Sequence, residues 1–210
     1  MHVAFIPDGN RRWAKKNNVS LQEAYLKGTE KLKDVLQWSK DLGVKEVTVW
    51  AMSYDNYKKR SPEEISLLFQ IMKNYRQWLG EIKNVKVEFV GKLDELPQDI
   101  LEMIEEVKEK GKEGEYKINV LFLYNGRWEI LEVAKKGPKT EEELYQALLL
   151  KSFPDIVIRT GGQVRTSGFL PIQTEYSEWF FLEKLWPDFS FEDYKKILED
   201  FQKRQRNFGK

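Results

Sequence analysis

The segment His2–Trp13, HVAFIPDGNRRW, joins a strand pattern to the start of a helix. The run His2–Ile6 is short and mostly apolar, which favours a strand. The Pro-Asp-Gly-Asn sequence that follows it is typical of a turn that ends a strand. Two arginines come directly after this turn. A strand, a turn and a helix in this order form the repeating unit of α/β proteins.

The same alternation continues along the chain. Further strands are predicted at Glu46–Ala51, Val85–Val90, Ile118–Leu123, Asp155–Ile158 and Trp179–Leu182. Helices are predicted from Ser20 to about Leu42, Ser61 to about Glu81, Pro97 to Lys110 and Gly126 to Lys136, after Thr140, and from Ser190 toward Arg206. Six strands alternating with helices predict one α/β domain over residues 1–210, with a mostly parallel six-stranded sheet wrapped by helices.

Composition excludes several classes of function. The 210 residues contain 35 Lys and Arg against 34 Asp and Glu, and this balance argues against non-specific nucleic-acid binding. The chain has no cysteine and one histidine, which argues against thiol chemistry, a histidine zinc site and a Ser-His-Asp triad. No apolar run approaches the roughly 18 residues of a transmembrane helix. We therefore expect a cytoplasmic protein that binds any metal through oxygen.

The arginines are concentrated in loop-like segments. Six of the nine fall there: Arg11, Arg12, Arg60, Arg127, Arg159 and Arg165. Parallel sheets bind ligands at the carboxyl ends of their strands, where these loops converge. Arginine suits bidentate recognition of carboxylate or phosphate. The pattern indicates an anion site at this edge, with chance clustering and surface ion pairs as the alternative.

Two strand ends combine arginine with other polar groups. Asp8 stands beside a glycine turn and two arginines, where a carboxylate could hold Mg²⁺ next to a phosphate, or could cap the turn or helix. The segment Arg159–Ser167 carries two arginines, hydroxyls and paired glycines, which suit a phosphate cradle or a mobile turn. The P-loop sequence GxxxxGK[ST] is absent, so a nucleoside triphosphatase is not expected.

Three stretches together resemble the cis-prenyltransferases, the family of undecaprenyl and dehydrodolichyl diphosphate synthases. They are HVAFIPDGNRRWAKK from His2, YNGRWEI from Tyr124 and IRTGGQVRTSGFLPIQTEYSEWFFLEKLWPDF from Ile158. The resemblance implies Mg²⁺-dependent condensation of isopentenyl diphosphate onto an allylic prenyl diphosphate, which makes a Z-polyprenyl diphosphate. It also implies a homodimer, with peripheral membrane contact during product release.

The resemblance also assigns roles to residues. It implies catalytic roles for Asp8 and Asn56, and a Mg²⁺ site at Asp8 and Glu178. Allylic substrate binding is carried over to Gly9, Asn10, Arg11, Arg12, Trp13, Ser53, Asp55, Tyr57 and Arg60. Isopentenyl diphosphate binding is carried over to Arg159, Arg165, Thr166 and Ser167. The tail Arg206–Gly209 resembles the segment that completes the partner subunit's site.

The hydrocarbon chain of such a product needs an apolar tunnel. Each buried CH₂ contributes about 0.8 kcal/mol, so a few isoprene units bind well without polar contacts. The helices Leu21–Leu42 and Pro62–Leu79 are candidates to enclose this tunnel between themselves and the sheet. Their apolar stripes are equally compatible with ordinary core packing.

The chain departs from the family pattern at several positions. Leu21 and Tyr25 stand where the family commonly has Arg and His, and Val164 replaces a histidine linked to the metal. Arg11 replaces a usual glycine and could supply the missing positive charge. These departures leave an alternative function open, a catalytically silent partner subunit or a prenyl-diphosphate-binding protein of the same family.

Overall fold

The computed structural model describes residues 1–75, 79, 84–111 and 114–204. Its sheet contains β1 (His2–Ile6), β2 (Glu46–Ser53), β3 (Val85–Val90), β4 (Tyr116–Tyr124), β5 (Ile156–Arg159) and β6 (Glu178–Phe181). The strand order is β3-β4-β2-β1-β5-β6, and each neighbouring pair in it is parallel. The predicted α/β class and six-stranded sheet are confirmed, with parallel pairing throughout the described strands.

Helices connect the strands from β1 to β5, and a further helix follows β6. They are α1 (Asn10–Asn17), α2 (Leu21–Asp41), α3 (Tyr54–Lys59), α4 (Pro62–Lys73), α5 (Gln98–Lys110), α6 (Gly126–Lys135), α7 (Glu141–Ala147) and α8 (Phe191–Lys203). Short 3₁₀ turns occupy Leu93–Glu95 and Trp186–Asp188. The predicted continuation of α4 toward Glu81 falls mostly outside the described residues. Helix α3 was not predicted, because six residues are too few to show an apolar period.

Hydroxyl caps start the helices where the sequence predicts them. Ser20, Ser61 and Thr140 each accept a hydrogen bond from the backbone N–H three residues further on. At Ser190 the bond is reciprocal, because the Asp193 carboxylate also accepts from the backbone N–H of Ser190. Such caps satisfy backbone donors that have no partner inside the helix.

The sheet is buried on both of its faces. All five residues of β1 are buried, and Phe5 packs edge-on against Trp186, Phe189 and Tyr194. Ala4, on the opposite face, belongs to a second apolar cluster. Parallel sheets covered on both faces have near-continuous apolar strands, so β1 can be recognised from sequence alone.

The strand ends determine where polar side chains collect. The chain segments that leave β1, β2 and β5 all emerge at the carboxyl edge of the sheet. The register aligns Ile6 with Arg159, so the residues after β1 lie beside the end of β5. Within the described ranges, no helix combines the length and apolarity needed to cross a bilayer.

Candidate active site

A cavity of about 630 Å³ opens at the carboxyl edge of the sheet. The structure brings most of the predicted site residues to its walls: Asp8, Gly9, Asn10, Arg11, Arg12, Ser53, Asp55, Asn56, Arg60, Arg159, Arg165 and Ser167. They come from three separate loops and helix starts that the parallel sheet places side by side. The sequence predicts one anion site at the carboxyl ends of the strands. The positions of these residues agree with that prediction.

Asp8 is held between two guanidinium groups. Its Oδ1 lies 2.9 Å from Nη2 of Arg12, and its Oδ2 lies 3.1 Å from Nη2 of Arg159. The next residue, Gly9, has φ 121°, in the region that favours glycine, and a Cβ there would lie 3.0 Å from the Leu185 backbone. This turn sets the position of the Asp8 carboxylate at the end of β1.

Arg159 is a buried cation with an unused donor. It is 5% exposed, and Nη1 donates to Ser167 Oγ at 2.9 Å and to the backbone oxygen of Arg165. Its Nε has no hydrogen-bond partner among the described residues. Buried donors are nearly always paired, so this unpaired nitrogen is a rare exception.

The paired glycines pack against the Asp8 turn. Thr160 donates its hydroxyl hydrogen to the backbone oxygen of Asp8 at 2.8 Å, and Arg12 donates to the backbone oxygen of Gly161. A Cβ on Gly161 would lie 2.5 Å from Nη2 of Arg12, and Gly161 has φ 88°. Close packing at positive φ explains this glycine, which lies against the backbone of the Asp8 turn.

Helix α3 forms the opposite wall. Ser53 caps it by accepting a hydrogen bond from the backbone N–H of Asn56 at 3.1 Å. Asp55 pairs with Nη2 of Arg127 at 2.9 Å. Arg127 therefore lies at the predicted edge, but it is exposed and is not part of the cavity wall.

The inner part of the cavity is apolar. It lies between the sheet and helices α2 and α4, and its walls include Leu32, Val49, Met52, Leu68, Ile71, Met72 and Phe122. The predicted apolar space between sheet and helices is therefore present. One cavity thus combines a cationic mouth with an apolar interior.

Comparison with known proteins identifies the family. The model of a family described as putative undecaprenyl diphosphate synthase matches residues 6–209. The chain belongs to this family. An isoprenyl transferase from Aquifex pyrophilus is 37% identical, with 100% of this chain and 95% of the relative covered. A geranylgeranyl-diphosphate-specific tritrans,polycis-undecaprenyl-diphosphate synthase from Sulfurisphaera tokodaii is 39% identical, over 99% of this chain and 87% of the relative.

Solved structures show the same likeness. Lavandulyl diphosphate synthase from Lavandula x intermedia, in complex with dimethylallyl diphosphate, superimposes with a TM-score of 0.93 at 30% identity, over 100% of this chain and 98% of that one. A probable undecaprenyl diphosphate synthase from Campylobacter jejuni gives a TM-score of 0.84 at 28% identity, with the same coverage. The resemblance seen in the sequence is confirmed, and the chain is a prenyl-transferring enzyme.

Three residues expected at the substrates lie outside the cavity wall. Trp13 donates its indole N–H to Asp188 Oδ1 at 2.7 Å, and this hydrogen bond links α1 to the 3₁₀ turn Trp186–Asp188. Tyr57 lines a neighbouring cleft between α3, α4 and α5, away from the main cavity. Thr166 accepts a hydrogen bond from the backbone N–H of Phe169 through its carbonyl. All three occupy positions next to cavity residues but face different partners.

Glu178 does not converge with Asp8. It pairs with Ile156 at the amino end of β6, whereas Arg159 pairs with Phe181 at the carboxyl end. Three residues along a strand span roughly 10 Å, and Glu178 forms an ion pair with Arg204. Within one chain the register therefore places the two expected Mg²⁺ ligands toward opposite ends of the parallel strands. The tail Arg206–Gly209 lies outside the described residues.

Asp8 is the one of the two expected Mg²⁺ ligands that lies in the cavity wall, and its surroundings are compatible with a bound Mg²⁺. The described residues hold no group of three or more His, Asp or Glu placed to bind a metal. However, Mg²⁺ is usually bound through one or two carboxylates together with substrate phosphates. Each oxygen of Asp8 accepts one guanidinium hydrogen bond and keeps a further lone pair. Asp8 is thus suited to a site that the substrate completes.

The sequence alone missed two features of the cavity. A Cβ on Gly28, in the middle of α2, would lie 2.3 Å from Oδ1 of Asn10, so a larger residue there would displace the Asn10 side chain. Among the described residues, the buried Oδ1 of Asn10 has no hydrogen-bond partner. The available signal was a glycine inside a strong helix pattern, which often marks close packing. The second missed feature is a buried glutamate, Glu64, that contacts both Tyr25 and Arg60.

Proposed function

We propose that this chain is a Mg²⁺-dependent cis-prenyltransferase that condenses isopentenyl diphosphate onto an allylic prenyl diphosphate to make a Z-polyprenyl diphosphate. The observation that supports it best is the single cavity with arginines at its mouth and apolar side chains inside. A prenyl diphosphate has the matching form, a charged head on a hydrocarbon tail.

The two diphosphates would bind to different walls. The allylic diphosphate would lie against the start of α1, where Gly9 to Arg12 offer backbone N–H groups and guanidiniums, with Arg60 opposite. Isopentenyl diphosphate would lie against Arg159, Arg165 and Ser167. Asp8 stands between these walls, bonded to an arginine from each.

This arrangement suits the bond changes of the reaction. The allylic C–O bond breaks and its electron pair leaves with the diphosphate, while the double bond of isopentenyl diphosphate forms the new C–C bond. A proton is then lost, and a new double bond forms. Guanidiniums already in place around the leaving diphosphate stabilise its developing charge. Asn56, on α3, would orient the group that loses the proton.

Asp8 would hold Mg²⁺ together with a substrate diphosphate. When bound, the ion would supply positive charge to the leaving diphosphate. The residues of the chain would contribute the remaining positive charge and the geometry. The growing chain would extend between the sheet and helices α2 and α4, where each buried CH₂ contributes about 0.8 kcal/mol.

We also propose a cytoplasmic homodimer with peripheral membrane contact during product release. Strand β6 lies at the edge of the sheet, and its aromatic side chains Trp179 and Phe181 are stacked and half-buried. A half-covered aromatic edge strand is a favourable surface for association. Light scattering after size-exclusion chromatography should give twice the chain mass of 25.0 kDa.

A primer panel tests the activity. Purified protein would be incubated with radiolabelled isopentenyl diphosphate and with dimethylallyl, geranyl, farnesyl or geranylgeranyl diphosphate, with Mg²⁺ or with excess EDTA. We expect labelled organic-soluble product with at least one primer, and its loss in EDTA. Chromatography of the products would give their lengths. Absence of product with every primer would contradict the proposal, and full activity in EDTA would contradict its metal requirement.

A catalytically silent partner subunit is the second candidate. It is favoured by the separation of Glu178 from Asp8 within one chain and by the exposed Val164 at a position where the family has a metal-linked histidine. It predicts an inactive protein that co-purifies with, and activates, a homologous subunit. Activity of the purified chain alone would exclude it.

A further inference from the structure

A buried tyrosine and a buried glutamate form a cluster with a half-buried arginine beside the cavity mouth. Tyr25, on α2, donates its hydroxyl hydrogen to Oε1 of Glu64 at 2.5 Å. The same oxygen lies 3.3 Å from Nε of Arg60, and the guanidinium carbon of Arg60 lies 5.8 Å from the centre of the Tyr25 ring. The cluster therefore joins α2, the end of α3 and the first turn of α4.

The charge of Glu64 is unexpected at this place. Its side chain is 9% exposed, and Arg60 and Tyr25 beside it line a cavity suited to anions. A carboxylate next to a diphosphate repels it, and burying a carboxylate costs free energy unless it is paired. Arg60 and Tyr25 pair it here, so the arrangement is consistent with a role in placing its partners.

The ion pair with Glu64 involves Nε of Arg60 and leaves the two Nη nitrogens of its guanidinium available. Glu64 approaches Nε, and the two Nη nitrogens form no hydrogen bond or ion pair with any other described residue. Arginine carries five N–H donors in a planar fork, so a guanidinium held at Nε can still bind a phosphate in a bidentate manner. Arg60 lines the cavity, where such a ligand would lie.

Tyr25 in turn holds Glu64. Burial raises the pKa of the Tyr25 hydroxyl, which the nearby positive charge of Arg60 partly opposes. The phenol therefore stays protonated and remains a hydrogen-bond donor to Glu64 in the physiological range. Its short hydrogen bond leaves the carboxylate little freedom to turn away from Arg60.

We propose that Tyr25 and Glu64 are positioning residues that hold the guanidinium of Arg60 for the diphosphate of the allylic substrate. This inference rests on the proposed function and names a device within the same site. It predicts an effect on one of the two diphosphates only, because Arg159, Arg165 and Ser167 lie on another wall.

Substitution of Glu64 distinguishes positioning from simple repulsion by the sign of its effect. If Glu64 only repels the substrate, Glu64→Gln removes a negative charge and lowers the KM for the allylic diphosphate. If Glu64 positions Arg60, the same change removes the ion pair that holds Nε of Arg60 and raises this KM by roughly tenfold. The KM for isopentenyl diphosphate should stay within about twofold.

The experiment compares Glu64→Gln, Tyr25→Phe and the double variant with the wild type. We expect Tyr25→Phe to raise the allylic KM less than Glu64→Gln, and the double variant to add little, because both changes act through Arg60. An unchanged or lower allylic KM in Glu64→Gln, or equal increases for both substrates, would overturn the proposal.

A second tyrosine–glutamate pair supplies the matched control. Tyr124 donates to the buried Glu129 at the same distance of 2.5 Å, on a different part of the sheet. Tyr124→Phe should lower the melting temperature and leave both KM values unchanged. A general loss of packing would therefore be distinguished from a misplaced Arg60.

A binding measurement separates this inference from the proposed function. Calorimetric titration with inorganic pyrophosphate needs no turnover. Weaker pyrophosphate binding by Glu64→Gln and Tyr25→Phe supports the positioning role whether or not the wild type forms product. Equal or tighter binding overturns it. Failure of the wild type with every primer would instead count against the prenyl-transfer proposal.

Discussion

Two different polar clusters lie at the two ends of the parallel strands, which we call the amino edge and the carboxyl edge of the sheet. At the amino edge, His2 Nε2 lies 2.7 Å from Thr48 Oγ1, and Asn119 donates to both Thr48 and Glu46. At the carboxyl edge, Asp8 and Arg159 line an open cavity, and Arg159 keeps an unpaired Nε among the described residues. His2 Nδ1 also lacks a hydrogen-bond partner among the described residues, so the two clusters differ mainly in their surroundings. The first is enclosed within the protein, whereas the second lines a cavity that is open to a ligand.

This difference indicates which cluster serves stability and which serves chemistry. A buried hydrogen-bonded network rigidifies the fold, and breaking it leaves further polar groups unpaired. In the cavity, cationic groups are already in place before a ligand binds. Such groups stabilise the negative charge that develops in a transition state. Substitutions at the two edges should therefore separate into losses of stability and losses of activity.

The largest expected effect is at the carboxyl edge. Asp8→Asn removes the carboxylate that bonds Arg12 and Arg159 and would hold Mg²⁺. We expect kcat/KM to fall by about 10²- to 10³-fold. Asp34→Asn, on the exposed face of α2, is the control and should leave kcat/KM unaltered. Full activity of Asp8→Asn would remove the chemical distinction between the two edges.

The amino edge should respond in the opposite way. Thr48→Val removes a hydroxyl that accepts a hydrogen bond from Asn119 and pairs with His2. Leaving buried polar groups unpaired should lower the free energy of unfolding by about 1–3 kcal/mol. Urea denaturation would measure this loss, and the KM values of both substrates should remain those of the wild type. A change in either KM would show that the two edges are coupled.

The same network predicts a pH dependence of stability. Burial lowers the pKa of His2, and the nearby carboxylates of Glu46 and Asp155 oppose this shift. The unfolded chain then binds a proton that the folded chain does not, so stability is complete above about pH 6.5 and falls below it. One proton allows a slope of up to about 1.4 kcal/mol per pH unit.

Thermal unfolding between pH 7.5 and pH 5 would measure this slope. His2 is the one histidine of the chain, so His2→Gln should flatten the dependence between pH 6.5 and 5. An equally steep dependence in His2→Gln would assign the titration to other groups.

The smallest expected effect is that of a substitution at Ser53, at the carboxyl end of β2. Ser53 caps α3 by accepting a hydrogen bond from the backbone N–H of Asn56. Ser53→Ala should cost about 1 kcal/mol of stability, as expected for a lost cap, and also lower activity because α3 carries Asp55 and Asn56. Loss of stability with normal activity would show that the α3 wall keeps its position without its cap.

Much of the fold was predictable because its signals are local. Strand β1 ends at Ile6 as predicted, since an apolar run buried on both faces stops at a Pro-Asp-Gly turn. The helix starts were predicted from residues whose hydroxyl groups can cap a helix: Ser20, Ser61, Thr140 and Ser190. Helix α3 escaped prediction, because its start depends on one serine and its residues form no apolar stripe.

The candidate site was predictable in chemistry and only partly in geometry. Asp8 and Arg159 were expected together, because both follow strands of a parallel sheet. Glu178 was expected with them by resemblance, although the predicted strand Trp179–Leu182 begins directly after it. A residue before a strand lies at the amino edge, and the register with Ile156 confirms this position.

The sequence by itself determined the succession of strands and helices, the caps that begin the helices, and the kinds of groups available for binding. Apolar runs, turn residues and hydroxyl caps act over a few neighbouring residues, so their outcome can be predicted from the order of residues. The tertiary structure decided the strand order β3-β4-β2-β1-β5-β6, the contact of Gly28 with Asn10 and the meeting of Tyr25, Glu64 and Arg60. These contacts join residues far apart in the chain, and they depend on packing and register that no local pattern specifies.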